Sequence, residues 1–218
     1  MTAARPIPSD ATLSALLQGA DEHDLHIWRP MQGDRPASVL VPLITGDGEL
    51  RVLLTRRSPH LNTHAGEYSF PGGRPEPHDA DALATALRET HEEVGVAADL
   101  VRVVGRLPRT TTYKTNYAIT PFVGVIDAEP TWVAQVSEVA EVAEPRLADL
   151  IAGRQVHPIK RGDGVTVHMP VFPLANDHAV WGATARILDV LLARLAPIID
   201  GVAPQGEPYE AVRALGPS

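Results

Sequence analysis

The chain has 218 residues, 44% of them hydrophobic and 21% charged, a composition that suits a globular domain with a substantial core. It contains no cysteine, so disulfides, thiolate metal sites, iron–sulfur clusters and cysteine nucleophiles are excluded, and any metal must be held by oxygen or imidazole. A net charge of −8 is a poor match to nucleic acid, no apolar run is long enough to span a bilayer, and the N-terminus lacks a signal-type apolar core, so the expectation is a cytoplasmic protein that partners neither nucleic acid nor membrane.

In chain order, Ser9-Asp10 followed by Ala11, Leu13, Leu16 and Leu17 predicts a short capped helix inside an N-terminal arm, residues 1–35. Residues 38–45 predict a strand, residues 46–48 a turn, and residues 50–57 the returning strand of a hairpin. Residues 58–78, rich in Pro, Gly and His, read as one long loop, a length that points to function. A strong helix is predicted over residues 81–94, ended by Gly95. Strands follow over residues 101–107 and 118–126, with a half-buried strand over 136–142. A short helix is expected over 145–151 with Pro145 in its first turn, then a strand over 165–174 and a final amphipathic helix over 179–195. The main domain is expected over 36–196 and a C-terminal extension over 197–218. Strands, a central helix, more strands and a last helix give α/β (α+β) with a mixed sheet covered by helices.

The informative stretch is Arg88-Glu89-Thr90-His91-Glu92-Glu93-Val94-Gly95. At about 100° per residue, Glu92 and Glu93 fall within roughly 60° on either side of Glu89. Leu83, Leu87 and Val94 cluster opposite and are expected to seat on the sheet. Three carboxylates at i, i+3 and i+4 repel one another and call for a cation. Arg88, four residues before Glu92, supplies part of it; a hard divalent ion with oxygen ligands would supply more. Upstream, Phe70-Pro71-Gly72-Gly73 is a rigid turn whose glycines allow close backbone approach.

Residues 73–96 resemble the Nudix box, GX5EX7REUXEEXGU. Gly73, Arg88, Glu89, Glu92, Glu93, Gly95 and Val96 match. Thr90 stands at an aliphatic position, and Asp79 replaces the first Glu, with one extra residue before Arg88. Residues 53–58 (LLTRRS), Gly66 and residues 70–73 (FPGG) are similar to LLTXRSX3RX3GX3FPGG, the mark of the coenzyme A diphosphatase branch, with Asn62 in place of its Arg. Residues 120–124 and 181–185 are also similar to segments of that branch.

The resemblance implies a Nudix-type α/β/α sandwich around a mixed sheet. It implies Mg²⁺ or Mn²⁺ held by Glu89, Glu92 and Glu93 with a backbone carbonyl at Gly73. It implies hydrolysis of coenzyme A to 3′,5′-ADP and 4′-phosphopantetheine. Glu92 and Glu93 are the expected catalytic acids, Glu92 being the candidate base, and Arg88 is expected to orient Glu92. Arg56, Arg57, Arg109 and Lys114 are the cations available to substrate phosphates. Family members are often dimers, so a second copy of the chain stands among the expected partners. The Asn62 departure keeps open a diphosphatase acting on ADP-ribose, an NDP-sugar or a dinucleotide. The third alternative is a Nudix-fold binding module without catalysis, against which the intact acidic trio argues.

Other chemistries lack support. His60, His64 and His78 have no metal-ligand spacing and read as polar loop residues. Ser58 and Ser69 have no Gly-X-Ser-X-Gly setting, and no Gly-Lys-Ser/Thr follows Gly72-Gly73. Trp181 is expected as a core or capping aromatic.

Overall fold

The computed structural model describes residues 7–18, 35–45, 48–60, 65–112, 115–127, 131–160, 164–175 and 177–199. Gly46, Asp47, Asn62, His64, Lys114 and most of the expected N-terminal arm and C-terminal extension lie outside the described residues.

The elements in chain order are α1 (Asp10–Leu17), β1 (Arg35–Ile44), β2 (Arg51–Val52), β3 (Leu54–Arg57), β4 (Tyr68–Ser69), β5 (Gly72–Gly73), α2 (Ala82–Val94), β6 (Arg102–Arg106), β7 (Thr110–Thr111), β8 (Tyr117–Ile126), β9 (Val139–Ala143), α3 (Leu147–Gly153), β10 (Gln155–Lys160), β11 (Thr166–Pro173), β12 (Ala179–Val180) and α4 (Gly182–Leu195). The predicted fold class holds: this is a mixed α+β structure with a central mixed sheet covered by helices.

The central sheet runs β2-β1-β8-β6, with β5 added to β1 and β7 to β8. β1 and β8 are parallel from Arg35↔Tyr117 to Ile44↔Ile126. β2, β5 and β6 pair antiparallel. Buried parallel strands read as near-continuous apolar runs, and residues 38–44 of β1 (SVLVPLI) do so. On one face Ile44, Leu53 and Ile126 pack with Val94 and Val96 at the end of α2. On the other, Val41, Leu43, Val123 and Val125 pack with Leu13 and Leu17 of α1 and Leu188, Leu191 and Leu192 of α4. A small sheet, β4-β3-β9, lies beside them, and β10-β11-β12 forms a third.

Several expectations are corrected. The returning strand breaks at Leu53, so only β2 completes the hairpin. Leu53 N donates to Pro42 O at 3.0 Å, but Pro42 has no N–H to return, and the chain leaves for the small sheet as β3. The long loop contains β4 and β5. The half-buried strand starts only at Val139, Val136 being 86% exposed. Pro145 precedes the N-cap, Arg146, of α3 rather than sitting in its first turn. The last helix starts at Gly182 and Ala179–Val180 are β12; of the two roles expected for Trp181, core or capping, it has the second, as the exposed N-cap residue of that helix. β10 escaped prediction because all six of its residues are exposed, which leaves no alternation to read.

The helix boundaries follow their caps. Ser9 accepts from Thr12 N at the start of α1, and Asp81 accepts from Ala84 N at 2.8 Å at the start of α2. Gly95, at φ 77°, closes α2 in the left-handed conformation that favours glycine.

Candidate active site

α2 carries the acidic residues, and its seating decides where each one points. Its buried positions are Thr85, Ala86, Thr90, Glu93 and Val94. Leu83 and Leu87, expected to dock, are only half-buried. The seam is made of small residues instead, and it turns Glu93 inward. Thr90, polar where the box is aliphatic, is satisfied by donating to Ala86 O at 2.7 Å.

Glu93 is 4% exposed and accepts a hydrogen bond from Thr55 Oγ1 of β3 at 3.3 Å. Burial pushes its carboxyl up to about 8, and the negative charges of Glu89 and Glu138 push the same way. The positive charge of Arg57 and the Thr55 hydroxyl oppose the shift. Glu89 is also raised by burial, with Arg88 opposing.

Gly73 explains why β5 must be bare. A Cβ there would lie inside the Glu89 carboxylate, 2.7 Å from Oε2. The acid therefore rests directly on the backbone of β5. At Gly72 a Cβ would meet Ser38 O and lie 2.6 Å from Val39 Cα. Both glycines permit close approach, Gly72 to β1 and Gly73 to α2.

Arg88 is the hub of the cluster. Its Nε and Nη2 donate to Asp79 Oδ1 and Oδ2 at 3.0 and 3.1 Å. Nη2 also reaches Arg74 O at 3.0 Å and Glu89 Oε1 at 3.1 Å, and Nη1 donates to Glu92 Oε2 at 2.8 Å. Asp79 further accepts from Glu76 N and Thr85 Oγ1. Together, Arg88 foremost, these donors hold the Asp79 carboxyl well below the usual range. The shorter acid in the lengthened loop thus anchors Arg88.

Glu89 and Glu93 meet Gly73 and β3, whereas Glu92 stays 53% exposed against Arg88. Among the described residues no three His, Asp or Glu side chains close on one point as a finished metal cluster. Of the basic residues, Arg57 acts on Glu93. Arg56, one residue away on the pleat, faces Tyr68 and Glu141 instead and donates to Glu141 Oε2 at 2.8 Å. Arg109 is exposed between β6 and β7, and Lys114 lies outside the described residues.

Two residues went unmarked in the sequence. Thr55 belongs to a matched motif but gave no local sign of touching Glu93. Glu138 is carried by a segment that wraps the end of α2: Gln135 N donates to Glu93 O at 3.0 Å, Glu138 N to Gln135 O at 2.9 Å and Ser58 N to Glu138 O at 2.7 Å. Nothing near it in sequence announces that contact.

Comparison with known proteins gives the family. The NUDIX domain model matches residues 34–160. NudL of Escherichia coli K12, an uncharacterized Nudix hydrolase, is 38% identical over 172 residues, 78% of this chain and 87% of NudL. NudL of Shigella boydii serotype 18 is 37% identical over the same shares. A crystal structure of a NUDIX hydrolase from Alicyclobacillus acidocaldarius aligns at TM-score 0.48 and 20% identity, covering 80% of this chain and all of that one. The NUDIX domain of Shewanella oneidensis NrtR, complexed with ADP ribose, aligns at TM-score 0.44 and 19% identity, covering 56% and 79%. The matched span contains the whole acidic helix and its glycine cradle, and this chain belongs to the Nudix hydrolase family, enzymes of phosphoric anhydride bonds that generally use divalent metal ions.

Proposed function

We propose that this hydrolase cleaves the diphosphate of coenzyme A or its acyl derivatives, adding water to give 3′,5′-ADP and 4′-phosphopantetheine or its acyl form. The observation that carries the reading is where residues 53–58 and 70–73 lie. The segment similar to the coenzyme A branch forms the wall facing the acids: Thr55 bonds Glu93, Arg57 acts on it, and Gly73 cradles Glu89.

The donor set fits a hard divalent ion, Mg²⁺ or Mn²⁺. Every candidate ligand is oxygen, and Glu89 lies against the bare backbone of Gly73 while Glu93, four residues on along the same helix, is turned inward. Glu89, Glu92 and Glu93, with the backbone oxygen of Gly73, would hold it. When bound, the ion offsets diphosphate charge and acidifies a water. Arg88, fixed by Asp79, sets the carboxylates of Glu89 and Glu92. Arg57, whose charge acts on Glu93, is the candidate cation for a phosphate oxygen. Glu92, and Glu138, whose charge acts on Glu89 and Glu93, are the acids exposed enough to accept the proton of the attacking water.

Asn62 favours a second reading, in which the substrate is ADP-ribose, an NDP-sugar or a dinucleotide. Turnover of coenzyme A, acetyl-coenzyme A, ADP-ribose and NADH at one concentration, with Mg²⁺ or Mn²⁺ and mass-resolved products, separates the two. The first reading expects the highest kcat/KM on a coenzyme A substrate. Faster cleavage of ADP-ribose or NADH supports the second, and no diphosphate cleavage at all identifies a binding module.

A further inference from the structure

Strand β3 places a hydroxyl where packing alone would call for an aliphatic side chain. Thr55 is 1% exposed, between Leu54, fully buried, and the half-buried Arg56. On the pleat it shares a face with Arg57 and lies opposite Ser69 of β4 and Val142 of β9. Its Oγ1 lies 3.3 Å from Glu93 Oε2, 3.4 Å from Ser69 O and 3.5 Å from Ser69 Oγ. Thr55 has one proton to give, and the carboxylate is the nearest and most strongly accepting of the three. No other side-chain hydrogen bond to Glu93 is present among the described residues.

We infer that Thr55 is a positioning residue for the hydrolysis, its hydroxyl fixing the Glu93 carboxylate against β3 so that Glu93 meets the divalent ion in one orientation. The inference rests on the reading above, in which Glu93 serves the reaction. A buried carboxylate on a helix has free torsions in its side chain, and a single donor on a rigid strand selects among them. Ser69 closes the chain of hydroxyls behind Thr55 and steadies its rotamer. Thr55 does not touch substrate in this scheme, so its loss lowers kcat and weakens ion binding while leaving substrate KM in place.

The test compares Thr55→Val, which keeps the shape and removes the donor, with Thr55→Ser, which keeps the donor. Three quantities are read: the melting temperature of metal-free protein, the Mn²⁺ dissociation constant by calorimetry, and kcat and KM on the best diphosphate substrate. The expectation for Thr55→Val is a fold retained within a few degrees, Mn²⁺ binding weakened about tenfold, kcat lowered about tenfold and KM within about threefold. Thr55→Ser returns both values to within about threefold of wild type. Wild-type kcat and Mn²⁺ affinity in folded Thr55→Val overturn the inference. So does Thr55→Ser performing as poorly as Thr55→Val, since that result assigns the effect to shape. If Thr55→Val does not fold, Thr55→Ala, which also removes the donor, takes its place with the same criteria. Glu93→Gln separates the two levels: an inactive Glu93→Gln beside an unaffected Thr55→Val rejects the inference alone, whereas a fully active Glu93→Gln rejects the underlying reading.

Discussion

Replacing Gly73 with Ala tests the cradle at a position that carries no functional group. The backbone of Gly73 lies outside the left-handed region, so alanine meets no torsional bar there. Its methyl would instead fall 2.5 Å from Glu89 Cδ and 2.7 Å from Oε2. Ordinary carbon contacts begin near 3.5 Å, so the carboxylate must withdraw by about 1 Å. That withdrawal strains the 3.1 Å bond from Arg88 Nη2, whereas the alanine restricts the unfolded chain and returns a few tenths of a kcal/mol. Stability therefore changes by about 1 kcal/mol or less in either direction. Catalysis is far less tolerant, since a displacement of about 1 Å in a group acting on the reaction costs on the order of 10²-fold in rate. The assay pairs kcat on the best diphosphate substrate with a thermal melt and Mn²⁺ calorimetry. A folded Gly73→Ala protein with wild-type kcat and Mn²⁺ affinity would refute the role given to Glu89.

Glu93 makes the metal-free protein sensitive to pH. Between its ordinary value of 4.5 and about 8 the native state keeps a proton that the unfolded chain has released, so stability falls as pH rises through that window, by about 5 kcal/mol in total. Melts of metal-free wild type and Glu93→Gln should therefore diverge in favour of the variant from pH 5 to pH 8, and a constant gap contradicts the burial argument. Arg88→Lys keeps the charge but cannot serve Asp79, Glu89 and Glu92 together, so kcat should fall tenfold or more with KM within about threefold; an unchanged kcat removes Arg88 as organiser. Arg57→Ala should raise substrate KM about tenfold, while Arg56→Ala, bonded to Glu141 on the far face, should leave KM alone and cost about 1 kcal/mol of stability, and the reverse pattern of KM effects would mean the pleat has been misassigned.

The acidic helix was largely legible because its signals are local. Asp81 and Gly95 fix its ends, and helical spacing fixes the relative directions of Glu89, Glu92 and Glu93. Which of the three faces inward was not legible. That depends on the small residues Thr85, Ala86 and Thr90 letting α2 approach the sheet, so that Leu83 and Leu87 are left at its margin. The break at Leu53 was also hidden, because Pro42, which causes it, sits on the neighbouring strand. Asp79 departs from the expected spacing, yet a one-residue extension of the loop still delivers its two oxygens to Arg88. Glu138 arrives through backbone bonds made by Gln135 and Ser58, and long-range pairings of that kind leave no periodic trace.

In the proposed site the carboxylates of α2 hold the divalent ion against the glycine turn. Anomalous diffraction from crystals grown with Mn²⁺ tests it without reference to substrate. A manganese peak is expected about 2.1 Å from carboxylate oxygens of Glu89 and Glu93, with the backbone oxygen of Gly73 at similar range. Ordered electron density for those side chains with no manganese between them, at Mn²⁺ concentrations that support turnover, would contradict it.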